Sequence, residues 1–153
     1  MRAAVIERPG IEHLHIVEQP MPTPGPGEVL VRLRAAALNY RDNLVVVGGY
    51  GSRQRHEGLI PLGDGAGEVA AVGPEVARWK VGDRVMPCLF PDWIGGPISE
   101  AKIKRQLGGS LDGCACEYRV LPEAALVRTP SHLSDLEAAT LPCAALTAWS
   151  LVC

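Results

Sequence analysis

Leu62-Gly63-Asp64-Gly65-Ala66-Gly67-Glu68-Val69, read with Ala36-Ala37-Leu38-Asn39-Tyr40-Arg41-Asp42 upstream, decides the fold class of this chain. The first stretch resembles a phosphate-cradling glycine loop. Yet no Lys-Ser/Thr follows, and a strand pattern comes where such a loop needs a helix. A glycine-rich strand entry accounts for it better, because backbone passing close to another element leaves no room for side chains. Glu68-Val69-Ala70-Ala71-Val72 is then the strand, ended by Gly73-Pro74. Val81-Gly82-Asp83 is a turn that delivers Arg84-Val85-Met86 as the next strand.

Outward from this centre the pattern stays mainly β. Residues 2–7 and 13–18 read as an opening hairpin around Pro9-Gly10, and the prolines from Pro20 to Pro26 form a stiff connector. Glu28 to Ala35 alternates in its second half as a half-buried strand does. Asn39 to Val47 is a loop or short helix closed by Gly48-Gly49, and residues 50–58 are an exposed loop. Cys88 to Gly113 is a lobe rich in Pro, Gly and Trp, with one helical patch around Ser99 to Gln106. Strand patterns return at Cys114–Leu121 and Ala125–Val127. Ser134-Asp135-Leu136-Glu137 is a capping box that predicts a helix to about Thr140. Pro142 then starts a second, apolar helix through Trp149 to Val152, which has no C-terminal cap and reads as an interruption of a longer chain.

Composition narrows the function classes. A chain of 153 residues, 47% hydrophobic and 21% charged, is one ordinary domain with a core. A net charge of −2 supplies no basic footprint, so neither nucleic acid nor an anionic membrane is an expected partner. No apolar run approaches the roughly 20 residues that span a bilayer, and Met1 to Pro9 is charged too early for a signal peptide. The expected location is the cytoplasm. The five cysteines are irregularly spaced with no C-x-x-C, and reduced structural thiols are the expectation there.

These motifs, taken in order, resemble the N-terminal GroES-like domain of the medium-chain dehydrogenase/reductase superfamily. The resemblance covers essentially the whole chain. It implies a mainly β, GroES-like, partly open β-barrel with short helices, assigning 1–130 to the catalytic domain and 131–153 to the start of a hinge helix. The nucleotide-binding domain to which that helix leads is missing, and no G-x-G-x-x-G follows a strand here. Zinc alcohol dehydrogenases of the superfamily have Cys where this chain has Asn39, and His-Glu where it has Asp64-Gly65. The resemblance therefore points to the zinc-independent branch, with its quinone oxidoreductases and enone reductases. The four-Cys structural-zinc lobe of the true alcohol dehydrogenases would fall within residues 88–113, where only Cys88 stands.

The same resemblance assigns the site. Asn39 lies beside the nicotinamide and, with Tyr40, is the catalytic candidate; Tyr50 lines the substrate pocket; Thr147 faces the nicotinamide from the hinge helix. An amide offers donors and an acceptor to a ribose or a carbonyl, and a Tyr hydroxyl can donate to an enone oxygen. Taken by themselves, an Asn-Tyr pair fits turn chemistry, and Thr147 fits a helix back-bond. Asp42 is expected to fix its loop through hydrogen bonds. Asp64 and Glu68 are two carboxylates without a Cys or His partner, a poor zinc site, since catalytic zinc takes three protein ligands. His13 and His15 would share one strand face, with a solvated or packed face the simpler reading. Cys116 fills a small-residue slot in Asp112-Gly113-x-x-x-Glu117-Tyr118.

Three functions follow. The first is the catalytic-domain portion of an NADP(H)- or NAD(H)-dependent oxidoreductase. It acts on quinones, enones or small carbonyl compounds without zinc or any other metal, is a homodimer, and is inactive as this chain alone. The second is a non-catalytic GroES-like binding or dimerisation module. The third is a zinc dehydrogenase with unusual ligands, against which Asn39 and Asp64 both speak.

Overall fold

Val29, Val31, Val69, Val85, Leu121 and Leu126 come from five different strands and share one core with Trp79, Leu107 and Cys114. The computed structural model, which describes residues 1–153, builds seven strands around it. They are β1 (Arg2–Ile6), β2 (Leu14–Glu18), β3 (Glu28–Ala37), β4 (Asp64–Val72), β5 (Arg84–Pro87), β6 (Tyr118–Pro122) and β7 (Leu126–Arg128). β1 and β2 form an antiparallel hairpin, and the other five form one antiparallel sheet in the order β6-β3-β4-β5-β7. β6 and β7 do not pair with each other, so the sheet is open, as the partly open, mainly β expectation requires.

Two joints hold the pieces together. Glu117 receives the backbone N–H of Arg2 at 2.8 Å and its guanidinium at 2.8 and 2.9 Å, docking the hairpin onto the sheet. Arg84 on β5 reaches Asp135 at 2.6 Å and the Leu133 carbonyl at 2.7 Å, fixing the start of a short helix. α1 (Tyr40–Val46) packs Val45 against Ile6 and Leu59. α2 (Glu100–Ile103) sits in the lobe, and α3 (Asp135–Ala138) lays Ala138 and Ala139 against Ala66 and Met86. A wide helical turn, Leu141–Ala145, carries the chain into α4 (Leu146–Val152). The small alanines on both sides let α3 approach the sheet closely.

Several expected boundaries move. β4 begins at Asp64 rather than Glu68, so Gly65 and Gly67 lie inside the strand. The close approach is there: a Cβ on Gly67 would stand 2.0 Å from the Arg32 carbonyl oxygen, beside a register shift between Leu33 and Ala35. Cys114 to Glu117 runs beside the hairpin and the Pro61–Leu62 loop, and regular strand starts only at Tyr118. The capping box at Ser134 and Glu137 forms as expected, but its helix lasts a single turn, ending before Thr140. The helical patch of the lobe shrinks to Glu100–Ile103. His13 closes a 3-10 turn (Ile11–His13) while His15 lies in β2, so the two do not share a strand face.

Candidate functional site

Ala37 pairs with Asp64 on the last rung between β3 and β4, so the chain leaving β3 carries Asn39 over the Asp64 carboxyl. Asn39 Nδ2 donates to Asp64 Oδ2 at 2.9 Å, and the Cys143 backbone N–H donates to the same oxygen at 3.2 Å. One carboxyl oxygen thus joins the β3–α1 junction, the sheet and the wide turn before α4. Asp64 is 0% exposed, and its second oxygen, Oδ1, has no partner. Burial pushes the Asp64 pKa up, opposed by the Asn39 and Cys143 hydrogen bonds; the nearby Asp42 pushes it further up. Burial, then Asp64, raises the Cys143 thiol, whose partner is the Thr147 side chain.

Below this knot lies a buried ion pair. Asp42 Oδ2 accepts the Asn39 backbone N–H at 2.8 Å, which fixes the start of α1 as expected. Arg41 reaches Asp42 Oδ1 at 3.2 Å, and its guanidinium stacks 4.9 Å from the Tyr50 ring centre. Burial raises the Asp42 pKa, while the Asn39 N–H and the Arg41 charge lower it. Removing Arg41 would leave a carboxylate buried and uncompensated, a change that typically costs about 3–5 kcal/mol.

Beside the knot opens a cleft of about 570 Å³. One wall is the end of β5 and the segment after it, from Met86 to Phe90; Trp93 and Ile94 of the lobe form the outer side. The facing wall is Leu141, Cys143, Leu146 and Thr147. This size and apolar character are those of a small-molecule site. The groups at hand are neutral: the Thr147 hydroxyl and the Cys143 and Cys88 thiols at the wall, and the half-buried Asn39 amide linked to it through Asp64. No three His, Cys, Asp or Glu side chains come together as a metal-holding group.

The expected site residues separate into two sets. Thr147 is at the cleft wall, and Asn39 reaches the cleft through Asp64 and Cys143. Tyr40 is 77% exposed at the first turn of α1. Tyr50 is not in the cleft wall: it packs on the Ile6–Val45–Leu59 cluster beneath Arg41. Glu68 is paired with Arg34 at 2.7 Å. Cys116 is half-buried and its thiol is pushed up to about 11 by burial, which suits the packing role. Sequence reasoning missed Cys143 and Arg41. Cys143 is separated from Asp64 by 79 residues, about half the chain, and only the β3–β4 register plus the position of α3 brings them together. For Arg41, a cation next to Asp42 in a loop carries no mark of burial.

Comparison with known proteins follows this geometry. The alcohol dehydrogenase GroES-like domain model matches residues 25–131. A zinc-type alcohol dehydrogenase-like protein of Schizosaccharomyces pombe is 45% identical over 125 residues, covering 82% of this chain and 36% of that protein. The chloroplastic quinone-oxidoreductase QR1 of Triphysaria versicolor is 35% identical over 140 residues, 91% of this chain and 36% of that one. The crystal structure of an NAD-dependent alcohol dehydrogenase superposes with a TM-score of 0.83 at 39% identity, over 99% of this chain and 46% of that chain. The chain therefore spans less than half the length of these relatives.

Proposed function

This chain belongs to the alcohol dehydrogenase GroES-like domain family, a family of oxidoreductases, and we propose that it forms the substrate wall of a nicotinamide-dependent enzyme. The enzyme reduces quinones, enones or other small carbonyl compounds, or oxidises the matching alcohols, without catalytic zinc. In this reading residues 1–130 are the catalytic domain and 131–153 open the hinge toward a nucleotide-binding domain. The five free thiols suit a reducing compartment, the cytoplasm.

The observation that carries the reading is the Asn39–Asp64–Cys143 knot beside an apolar cleft. A zinc fits this donor set poorly. Asp64 Oδ2 already accepts two N–H groups, which leaves only Oδ1; the Asn39 amide is neutral; and no three His, Cys, Asp or Glu side chains gather as a metal-holding group, whereas catalytic zinc takes three protein ligands. The same knot suits an oriented amide. With one N–H committed to Asp64, the rotamer of Asn39 is fixed, leaving its other N–H and its carbonyl oxygen to a cofactor ribose or a substrate carbonyl. Thr147 borders the same space from α4 and supplies a hydroxyl to the nicotinamide side. A bound NADPH or NADH supplies the hydride. What this chain adds is binding, orientation and exclusion of water from the carbonyl. Tyr40 is exposed at the first turn of α1, outside the cleft wall, and Tyr50 acts from beneath by holding Arg41.

The test is Asn39→Ala in a protein that joins this chain to a nucleotide-binding half. Loss of one oriented polar contact near developing charge typically costs about ten- to a thousand-fold in rate. A fall of at least about tenfold is expected in protein still folded at the assay temperature, alongside a lowered melting temperature from the lost Asp64 hydrogen bond. Full activity with every carbonyl acceptor would reduce Asn39 to a turn residue.

A further inference from the structure

Leu62 holds a backbone conformation that leucine avoids, with φ at 71°. In that left-handed region Cβ crowds the following carbonyl oxygen, and Gly, with Asn and Asp some way behind, is the residue at ease there. One other non-glycine residue shares it, Glu75 at φ 67°, in an exposed turn. Leu62 instead is half-buried, packs on the main core and stands two residues before Asp64. Its surroundings force the conformation. Three backbone hydrogen bonds strap Ile60-Pro61-Leu62 to Gly113-Cys114-Ala115. The Gly113 N–H donates to the Ile60 carbonyl at 2.6 Å, that of Cys114 to Leu62 at 2.7 Å, and that of Ala115 to Pro61 at 3.1 Å. Gly108 and Gly113 close on the same turn: a Cβ on the first would stand 2.5 Å from the Leu62 carbonyl carbon, and on the second 1.9 Å from its oxygen. Beyond it, Gly63 is wedged between the Leu89 and Arg41 side chains, so the direction of entry into β4 is set at Leu62. Strain of this kind persists where the fold over-determines it, and here it lies at the entry to the Asn39–Asp64–Cys143 knot.

We propose that Leu62 is a positioning residue: its left-handed turn sets the Asp64 carboxyl against Asn39 and thereby fixes the Asn39 amide. Its effect on the reaction rests on the function proposed above; its effect on the amide does not. The backbone of residue 62, and not its apolar side chain, carries that effect. Leu and Ile are isomers of one size, but β-branching makes Ile far less tolerant of positive φ. Gly has no apolar side chain and takes up positive φ without steric cost. A packing role and a positioning role therefore rank these two substitutions in opposite order.

Asn39 and Asn43 are the only asparagines of the chain, and the exposed Asn43 is an internal reference for isotope-edited NMR of their side-chain amides. In the 153-residue chain the Asn39 amide, bonded to Asp64, should exchange with water at least about tenfold more slowly than that of Asn43. Leu62→Gly should keep this protection within about twofold, and Leu62→Ile should lose most of it, with thermal unfolding measured on each. Protection lost in Leu62→Gly, or kept in folded Leu62→Ile, overturns the inference, as does a parent without protection. If Leu62→Ile does not fold, the result with Leu62→Gly decides alone. Carbonyl reduction by the joined protein separates the two claims. There Leu62→Ile should lower kcat at least about tenfold, while Leu62→Gly stays within about threefold of the parent. Amide protection that follows residue 62 in a protein without turnover refutes the proposed function and leaves the positioning role standing; turnover that Leu62→Ile leaves unchanged refutes positioning alone.

Discussion

Asp64 is wholly enclosed, accepts two hydrogen bonds on one oxygen and none on the other, and sits within electrostatic reach of Asp42. Its folded pKa is raised, so the folded chain holds this proton more tightly than the unfolded chain does. The corresponding stability is fully present below the unfolded carboxyl pKa, about 3.9, and is lost as pH rises through the folded value. Asn at this position keeps an acceptor for Asn39 and Cys143 and cannot ionise. The melting temperature of Asp64→Asn minus that of the parent should therefore rise between pH 4 and pH 8. A difference that falls with pH would mean that the two hydrogen bonds outweigh burial and that the carboxylate form stabilises the fold. Asp42, raised for the same first reason, loses the neighbouring Asp64 charge in the variant, and this adds to the difference in the same direction. Asn39 and Thr147 could be chosen from the sequence only through resemblance, since nothing local distinguishes them from a turn amide and a helix hydroxyl. Cys143 was beyond reach because its tie to Asp64 runs through a backbone N–H, which no side-chain identity announces.

At the scale of elements, the glycines of β4 show what patterning can and cannot deliver. Gly65 and Gly67 signalled close backbone approach, and that approach exists, but their lack of β propensity put the start of the strand four residues too late. The register shift between Leu33 and Ala35 is the cause: it presses β3 into space that a side chain at 67 would need. A methyl at that position meets backbone, which cannot swing aside, so Gly67→Ala should destabilise by at least about 2 kcal/mol. A urea midpoint measured by far-UV circular dichroism checks this; an unchanged midpoint would mean that the two strands can separate at little cost. The capping box at Ser134 was legible because its partners are local. The length of α3 was not, since the chain turns away at Leu141 to reach Asp64, and that is a tertiary demand.

For the whole molecule, the open feature is α4. Leu146, Trp149, Leu151 and Val152 are 60, 67, 84 and 82% exposed, a contiguous apolar surface of the kind that monomers seldom present. Sedimentation at low micromolar concentration should find the chain dimeric or partly aggregated. Trp149→Glu with Leu151→Glu should return it to a monomer. A clean monomer of the parent would show that α4 folds back onto its own domain. The fold class was readable because many short, turn-punctuated strands in a fixed order leave few architectures open, whereas a site assembled from residues 39, 64, 143 and 147 depends on the finished sheet.

The cleft is proposed as part of an oxidoreductase site that works without zinc. Its most direct test is metal content measured together with activity, on a protein that joins this chain to a nucleotide-binding half. The protein is dialysed against chelator, analysed for zinc, and assayed for oxidation of NADPH or NADH with 4-methylacetophenone and an enone as acceptors. Undiminished turnover is expected in protein whose zinc content is far below stoichiometric. Activity that vanishes with the chelator and returns in proportion to added zinc would contradict it.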